Sequence, residues 1–238
     1  MTAPPHGWRL VTPAPQPVPD ALALSQRLLA DGDCPALVVH RVSPAAITCG
    51  RAQMDQVDPG AARAEGLEVV ARPSGGGPVL WDDDLIAIDV VLPSGHPLLP
   101  VDVVAGYRWV GDAVVTALAG LGMEGARAVP PGEARAWPAG PAAGLCFGGL
   151  SPWEVVVEGR KVLGLSQVRR QAGAIIQVGM PMTLDAARLA RAVGAGDAAA
   201  ADLAARTAGV AGIAPGATRS QAEQALVGAL LAAGAGAG

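Results

Sequence analysis

Lysine is all but missing from this chain of 238 residues: of its 17 basic residues, only Lys161 is a lysine. Its richness in alanine, glycine and arginine points to a GC-biased genome, in which arginine serves wherever only positive charge is needed. An ammonium is a compact point charge with three rotatable donors, and a planar guanidinium cannot always replace it. Lys161 is therefore either required by its site or a chance survivor. Cysteine is also scarce: Cys34, Cys49 and Cys146 form an odd set without paired spacing, which excludes a disulfide framework and a zinc-ligand pattern and leaves thiols. Charged residues make up 16% of the chain and apolar ones 51%, so it is not of the disordered class. A net charge of -4 supplies no broad basic surface, which argues against nucleic acid and for a small-molecule or protein partner. Met1 to His6 has neither a basic start nor a following apolar run, so no secretory leader is visible and a cytoplasmic location is expected. The most apolar stretch, Val101 to Leu121, carries Asp102, Arg108 and Asp112, which a bilayer would not accept.

The turn and periodicity signals place a proline-rich, poorly ordered arm at residues 1–19, one catalytic-size domain at 20–233 and a flexible Ala/Gly tail at 234–238. A short strand is expected at Trp8 to Val11. Asp20 is expected to cap a helix that Gly32 ends, followed by two paired strands, Ala36 to His40 and Ala46 to Cys49. Asp58-Pro59 opens a short helix and Leu67 to Ala71 is a strand. Leu85 to Leu92 reads as a buried strand, and Pro100 as the start of a helix reaching Leu121. Pro130 to Gly149 lacks periodicity and reads as a long surface loop. Trp153 to Val157, the Glu158-Gly159 turn, Lys161 to Val168 and Ala174 to Val178 form a second sheet-like block. Helices are expected from Thr183 or Asp185, from Asp197, and from a capping box at Ser220 to Glu223. Hairpins mixed with grouped helices indicate an α+β class.

Two stretches can carry chemistry. Gly75-Gly76-Gly77, between Ser74 and Pro78, removes every Cβ from a turn, so backbone N-H groups can approach an anion or carboxyl group; a glycine-rich hairpin bend is the plain alternative. Arg72 beside it could hold a carboxylate or phosphate. The stretch Glu158 to Gln167 combines Lys161 with Gly164, a mid-strand glycine of the kind that lets a ligand lie on the backbone. Lys161 would otherwise be a solvated edge-strand lysine.

Three segments in this order, Asp20 to Gln53 ending Cys49-Gly50-Arg51-Ala52-Gln53, Arg72-Pro73-Ser74-Gly75-Gly76-Gly77-Pro78-Val79, and Trp153 to Gly164, resemble the biotin/lipoate protein ligase catalytic domain, its lipoate and octanoate branch best. The resemblance spans roughly residues 20–195. It implies an α+β domain with a larger and a smaller mixed or antiparallel sheet flanked by helices, which transfers a lipoyl or octanoyl group to one lysine of a lipoyl domain. That domain would belong to a 2-oxoacid dehydrogenase or a glycine-cleavage protein. It further implies that Arg72, Ser74, Gly75, Gly76, Gly77, Gly164, Ser166 and Gln167 line the acyl site, and that Lys161 contacts the acyl carbonyl. Cys146-Phe147 stands where cysteine-type octanoyltransferases carry their nucleophile, with Lys161 as the candidate for lowering its pKa. Two routes follow from the resemblance: an acyl-adenylate, with ATP and Mg²⁺, or a Cys146 thioester fed by an acyl carrier protein, without a cofactor.

The sequence departs from that pattern in places. Trp81-Asp82 replaces His-Asp, Gln177-Val178-Gly179 replaces Gln-His-Gly, and Gly164-Leu165-Ser166-Gln167 replaces Gly-Ser-Ala-Gln. A non-catalytic member that binds an acyl group, an acyl-adenylate or a lipoyl domain is the alternative function, and an unrelated phosphate-binding enzyme is a third. Asp82, Asp83 and Asp84 form no distinct metal motif and read equally as a solvated turn.

Overall fold

The computed structural model describes residues 7–32 and 34–236. Strand β1 (Arg9–Val11) pairs in parallel with β2 (Ala36–His40), and Trp8 is buried. The fold therefore begins before Asp20: β1 is an edge strand of a sheet, Gln16 bridges to Val42 and a helix opens at Val18, while residues 1–6 lie outside the described part. Helix α1 (Val18–Asp31) starts three residues earlier than expected, because Pro17 and not Asp20 supplies the extended N-cap and Pro19 sits in the first turn, so Asp20 is a first-turn acid. Gly32 ends it in the left-handed conformation. β3 (Ala46–Gly50) does not pair with β2 as expected. All five residues of each strand are buried, and each completes a different sheet. Asp58 caps α2 (Pro59–Ala64) by accepting from the Gly60 and Ala61 N-H groups, and β4 (Glu68–Arg72) follows.

β5 (Val79–Trp81) and β4 lie on opposite sides of β3, so the glycine stretch between them is a crossover above the end of β3 and not a hairpin bend. β6 (Leu85–Pro93) is the central strand of the larger sheet, whose order is β1-β2-β6, then two later strands. The expected helix at Pro100 is delayed. Asp102 accepts from the Val104 N-H, Arg169 holds the Val101 and Asp102 carbonyls, and α3 (Arg108–Gly120) begins only after that turn. β7 (Arg127–Ala128) and α4 (Pro131–Arg135) precede residues 136–154, which are packed, not a free surface loop. Ala142, Leu145 and Phe147 are buried, and the side chains of Asp202, Arg206 and Thr207 bind the backbone of Ala142, Pro138 and Phe147.

The expected sheet-like block splits in two. β8 (Val155–Val157) and β9 (Arg160–Lys161) join β7 in a small third sheet, whereas β10 (Gly164–Arg170) and β11 (Gly173–Pro181) complete the larger one as β6-β11-β10. Asp185 caps α5 (Ala186–Val193), and α6 (Asp197–Arg206) and the short α7 (Val210–Ile213) follow. The last helix, α8 (Arg219–Ala235), has its capping box two residues before the expected one, at Thr218 and Gln221, since Thr218 has the extended backbone an N-cap needs. It runs into the expected tail: Gly234 is buried, and a Cβ there would stand 2.6 Å from the Trp8 ring. Residues 237–238 lie outside the described part.

Helices α3 and α8 bury one face of the larger sheet with Ile86, Ile88, Val90 and Leu92 of β6, while the other face meets α1 and the β4-β3-β5 sheet. The class is α+β as expected. Among the described residues no helix is long and apolar enough to cross a membrane.

Candidate active site

A cavity of about 300 Å³ lies between the larger sheet and the β4-β3-β5 sheet. Side chains alternate along a strand, so strand register arranges the floor in rows that cross β10, β11 and β6. One row is apolar: Val168, Ile175 and Val91, packed with α1. The next is polar: Ser166, Gln177 and Asp89. The third is nearly bare: Gly164, Gly179 and Ala87. The cavity sits over the polar and bare rows, with Thr48, Val79 and Trp81 facing them from the smaller sheet and residues 143–151 along one side. A nearly bare row faced by Val79, Trp81, Leu145 and Phe147 leaves room for an unbranched aliphatic group.

Arg72 ends β4 under the glycine stretch and is buried. Its Nε donates to the Ser74 hydroxyl, Nη1 to the Thr48 carbonyl at 3.0 Å, and Nη2 to the Gly75 and Gly77 carbonyls at 2.9 and 3.0 Å. The guanidinium thus shapes the loop from inside instead of reaching for a ligand. Gly76 has φ of 102°, which disfavours any L side chain, and a Cβ on Gly77 would stand 1.9 Å from the Gly144 carbonyl oxygen. The glycine loop and the Cys146 loop therefore pack backbone on backbone, and the Cys146 N-H donates to the Pro78 carbonyl at 3.1 Å.

Lys161 is not the solvated edge-strand lysine of the alternative reading: it is 2% exposed. Its Nζ donates to Glu154 Oε2 at 2.7 Å, the Cys146 carbonyl at 2.8 Å and the Gly149 carbonyl at 2.9 Å, and lies 5.4 Å above the Phe147 ring. All three ammonium donors are occupied, and the one directed at Cys146 goes to its carbonyl and not to its sulfur. Glu154 also accepts from the Ser151 and Leu165 N-H groups, so one carboxylate joins β9, β10 and the Cys146 loop. Burial pushes the Glu154 carboxyl up, while the Lys161 charge and these hydrogen bonds pull it down. Sequence reading missed Glu154, although a lone acid directly before three valines in a strand was a usable signal.

The cavity brings together Arg72, Gly75, Gly76, Gly77, Cys146, Lys161, Gly164 and Ser166. Ser74 stands directly behind, its hydroxyl 2.5 Å from Gln177 Oε1 and 3.0 Å from the Ser166 hydroxyl. Gln167 is not brought in. It alternates to the opposite face from Ser166, where its Oε1 accepts from Arg169. Gln177 was noted only as part of a departure, yet it occupies the middle of the polar row, where its Nε2 donates to Asp89 Oδ1. A Cβ on Gly164 would stand 3.5 Å from Cys146 Sγ, so the thiol caps one end of the bare row. Cys49, by contrast, is fully buried, its thiol donates to the Gln53 carbonyl, and burial pushes its pKa up. Asp82 and Asp84 are tied into the β5-β6 turn, with Asp82 Oδ1 accepting from the Asp84 N-H. For ATP the fit is poor. Among the described residues lining the cavity the cations are Arg72 and Lys161, and both spend their donors on protein oxygens.

The chain is similar to the octanoyltransferase LipM of Geobacillus kaustophilus, with 33% identity over 179 residues, or 72% of this chain and 64% of that protein. The LipM of Kyrpidia tusciae is 36% identical over 147 residues, covering 61% and 53% of the two chains. The chain thus spans just over half to just under two thirds of these relatives. Among solved structures, a bipartite lipoate protein ligase of Thermoplasma acidophilum, from a study of that ligase and its E2 lipoyl domain, superposes with a TM-score of 0.75 at 22% identity over 94% of this chain and 82% of that one. A lipoate-protein ligase A bound with ATP gives 0.74 at 19% identity, covering 94% and 84%. At these identities the superpositions establish the fold. The model of the lipoyl protein ligase A/B catalytic domain matches residues 17–227, and the chain belongs to that family.

Proposed function

We propose that the chain transfers a medium-chain acyl group, octanoyl or lipoyl, to a lysine of a lipoyl domain through a thioester on Cys146. The observation that carries this reading is the position of Cys146 Sγ at the head of the bare row Gly164-Gly179-Ala87. The thiolate attacks the carbonyl carbon of an acyl-carrier thioester, the new C-S bond forms, and the carrier thiolate leaves. The neutral acceptor amine then attacks the Cys146 thioester, the amide forms, the cysteine sulfur leaves as thiolate, and the proton lost by the amine passes through solvent to the carrier thiolate released in the first step. Lys161, paired with Glu154 and donating to the Cys146 carbonyl, keeps the Cys146 loop in place through both steps. The poor fit to ATP favours the thioester over the adenylate route.

The test is the intact mass of a lipoyl domain incubated with octanoyl-acyl carrier protein and no ATP. A gain of one octanoyl group is expected, with a hydroxylamine-sensitive adduct on the wild type and none on Cys146→Ser. An equally active Cys146→Ala enzyme removes the thioester route. Gain only with free acid plus ATP would establish ligation, no gain under either condition would support a binding protein, and free biotin serves as the substrate control.

A further inference from the structure

The bare row has a closed end. Beyond Ala87 it continues across one more strand to His40 of β2, which is 1% exposed. There the imidazole stands edge-on to Trp81 of the facing sheet, with centroids 5.7 Å apart and planes at 84°. Trp81 lines the cavity, so the two sheets close on each other, ring against ring, at the fourth position of the row. Three strand spacings of about 4.8 Å separate Gly164 from His40, which gives the slot a length of roughly 14 Å.

His40 is braced from behind. Its Nε2 lies 3.2 Å from the Ser25 hydroxyl of α1 and 3.1 Å from Asp89 Oδ2, and Gln177 donates to the other carboxylate oxygen. The brace crosses α1, β2, β6 and β11, so moving the imidazole would leave one oxygen of a buried carboxylate without its partner. A tail too long for the slot has two ways out. It can push Trp81 against the braced His40 inside a close-packed core, or it can bend over the polar row and take water-excluded alkyl carbons onto Asp89.

We propose that Trp81, propped on His40, is the acyl-length stop of this site: it admits a medium chain and rejects longer ones. The ligand class rests on the acyl-transfer reading. The stop itself rests on the closure of the slot. In close-packed apolar sites a single methylene is worth about tenfold or more in discrimination, so the limit should be sharp.

The test measures binding of free octanoate, decanoate and dodecanoate by calorimetry, together with transfer from an equimolar mixture of the corresponding acyl-carrier thioesters. Three proteins are compared: the wild type, Trp81→Leu, which shortens the wall while staying apolar, and Ala87→Val, which fills the slot from the floor. Wild type is expected to prefer octanoate over dodecanoate by about tenfold or more. Trp81→Leu should bring the two within about threefold, and Ala87→Val should move the preference towards shorter acids. Should Trp81→Leu fail to fold, the opposite shift in Ala87→Val decides. Transfer with the same length ratio in every folded variant overturns the stop. Length-selective binding without any transfer overturns the acyl-transfer reading and leaves the stop standing.

Discussion

Arg72 and Lys161 are both buried, both line the cavity, and both donate to backbone carbonyls of a glycine-containing loop, yet Lys161 has Glu154 as a counter-ion and Arg72 is met by carbonyl and hydroxyl oxygens. A buried charge is expensive unless paired and hydrogen-bonded, and the two sites meet that cost differently. The Lys161 side is a neutral pair that acts as a brace. The Arg72 side keeps an uncompensated positive charge behind the Gly75 to Gly77 backbone, which is where an acyl oxygen gaining negative charge would be favoured. Lys161 thus acts first by holding the Cys146 loop, and Arg72 by the field and the loop shape that it maintains.

The largest effect is expected from breaking the pair. Lys161→Ala leaves Glu154 buried without a counter-ion, which should cost about 3–5 kcal/mol. For a chain of this size that lowers Tm by roughly 2–4 °C per kcal/mol in calorimetry. A loss under about 1 kcal/mol would mean that Glu154 is already protonated in the native state and that the brace is not ionic. Lys161→Arg should also destabilise, because a larger planar group enters a site with 2% exposure, whereas at a solvated edge position the same change would leave stability unchanged.

On the other side, Arg72→Lys preserves charge but removes the fork that spans Thr48, Gly75 and Gly77. Losing charge-assisted hydrogen bonds of this kind should cost about 1.5–3 kcal/mol. Urea unfolding measures it, and an unchanged midpoint would show that the loop holds its shape without the guanidinium.

Much of this candidate site was legible before the structure, because the residues that the cavity gathers are rare ones: one lysine, one Cys-Phe pair, one run of three glycines. What could not be read was pairing. β2 and β3 are neighbours in sequence and belong to different sheets, since β3 pairs with the next two strands, β4 and β5, while β2 pairs back to β1 and across to the more distant β6. The same non-local register assembles Ser166, Gln177 and Asp89 into one row and delivers His40 to Trp81, none of which local pattern reveals. Gln167 is a different kind of miss. Period-two alternation already placed it opposite Ser166, so both could not face one cavity.

The smallest effect separates the neighbouring glycines. A Cβ on Gly77 would collide with the Gly144 carbonyl, and relief requires the glycine loop and the Cys146 loop to separate, so Gly77→Ala should cost about 1–3 kcal/mol and slow acylation of Cys146. Gly75 has nothing within 4 Å of the same position and no positive φ. Gly75→Ala should therefore change stability by no more than about 0.5 kcal/mol. It also lines the cavity, so any loss of activity in a fully stable Gly75→Ala protein reports crowding of the acyl group and not a damaged loop. Equal destabilisation by the two substitutions, read from their urea midpoints, would show that the loops are not docked backbone to backbone, and the coupling of the Arg72 side to the Cys146 side would fall with it.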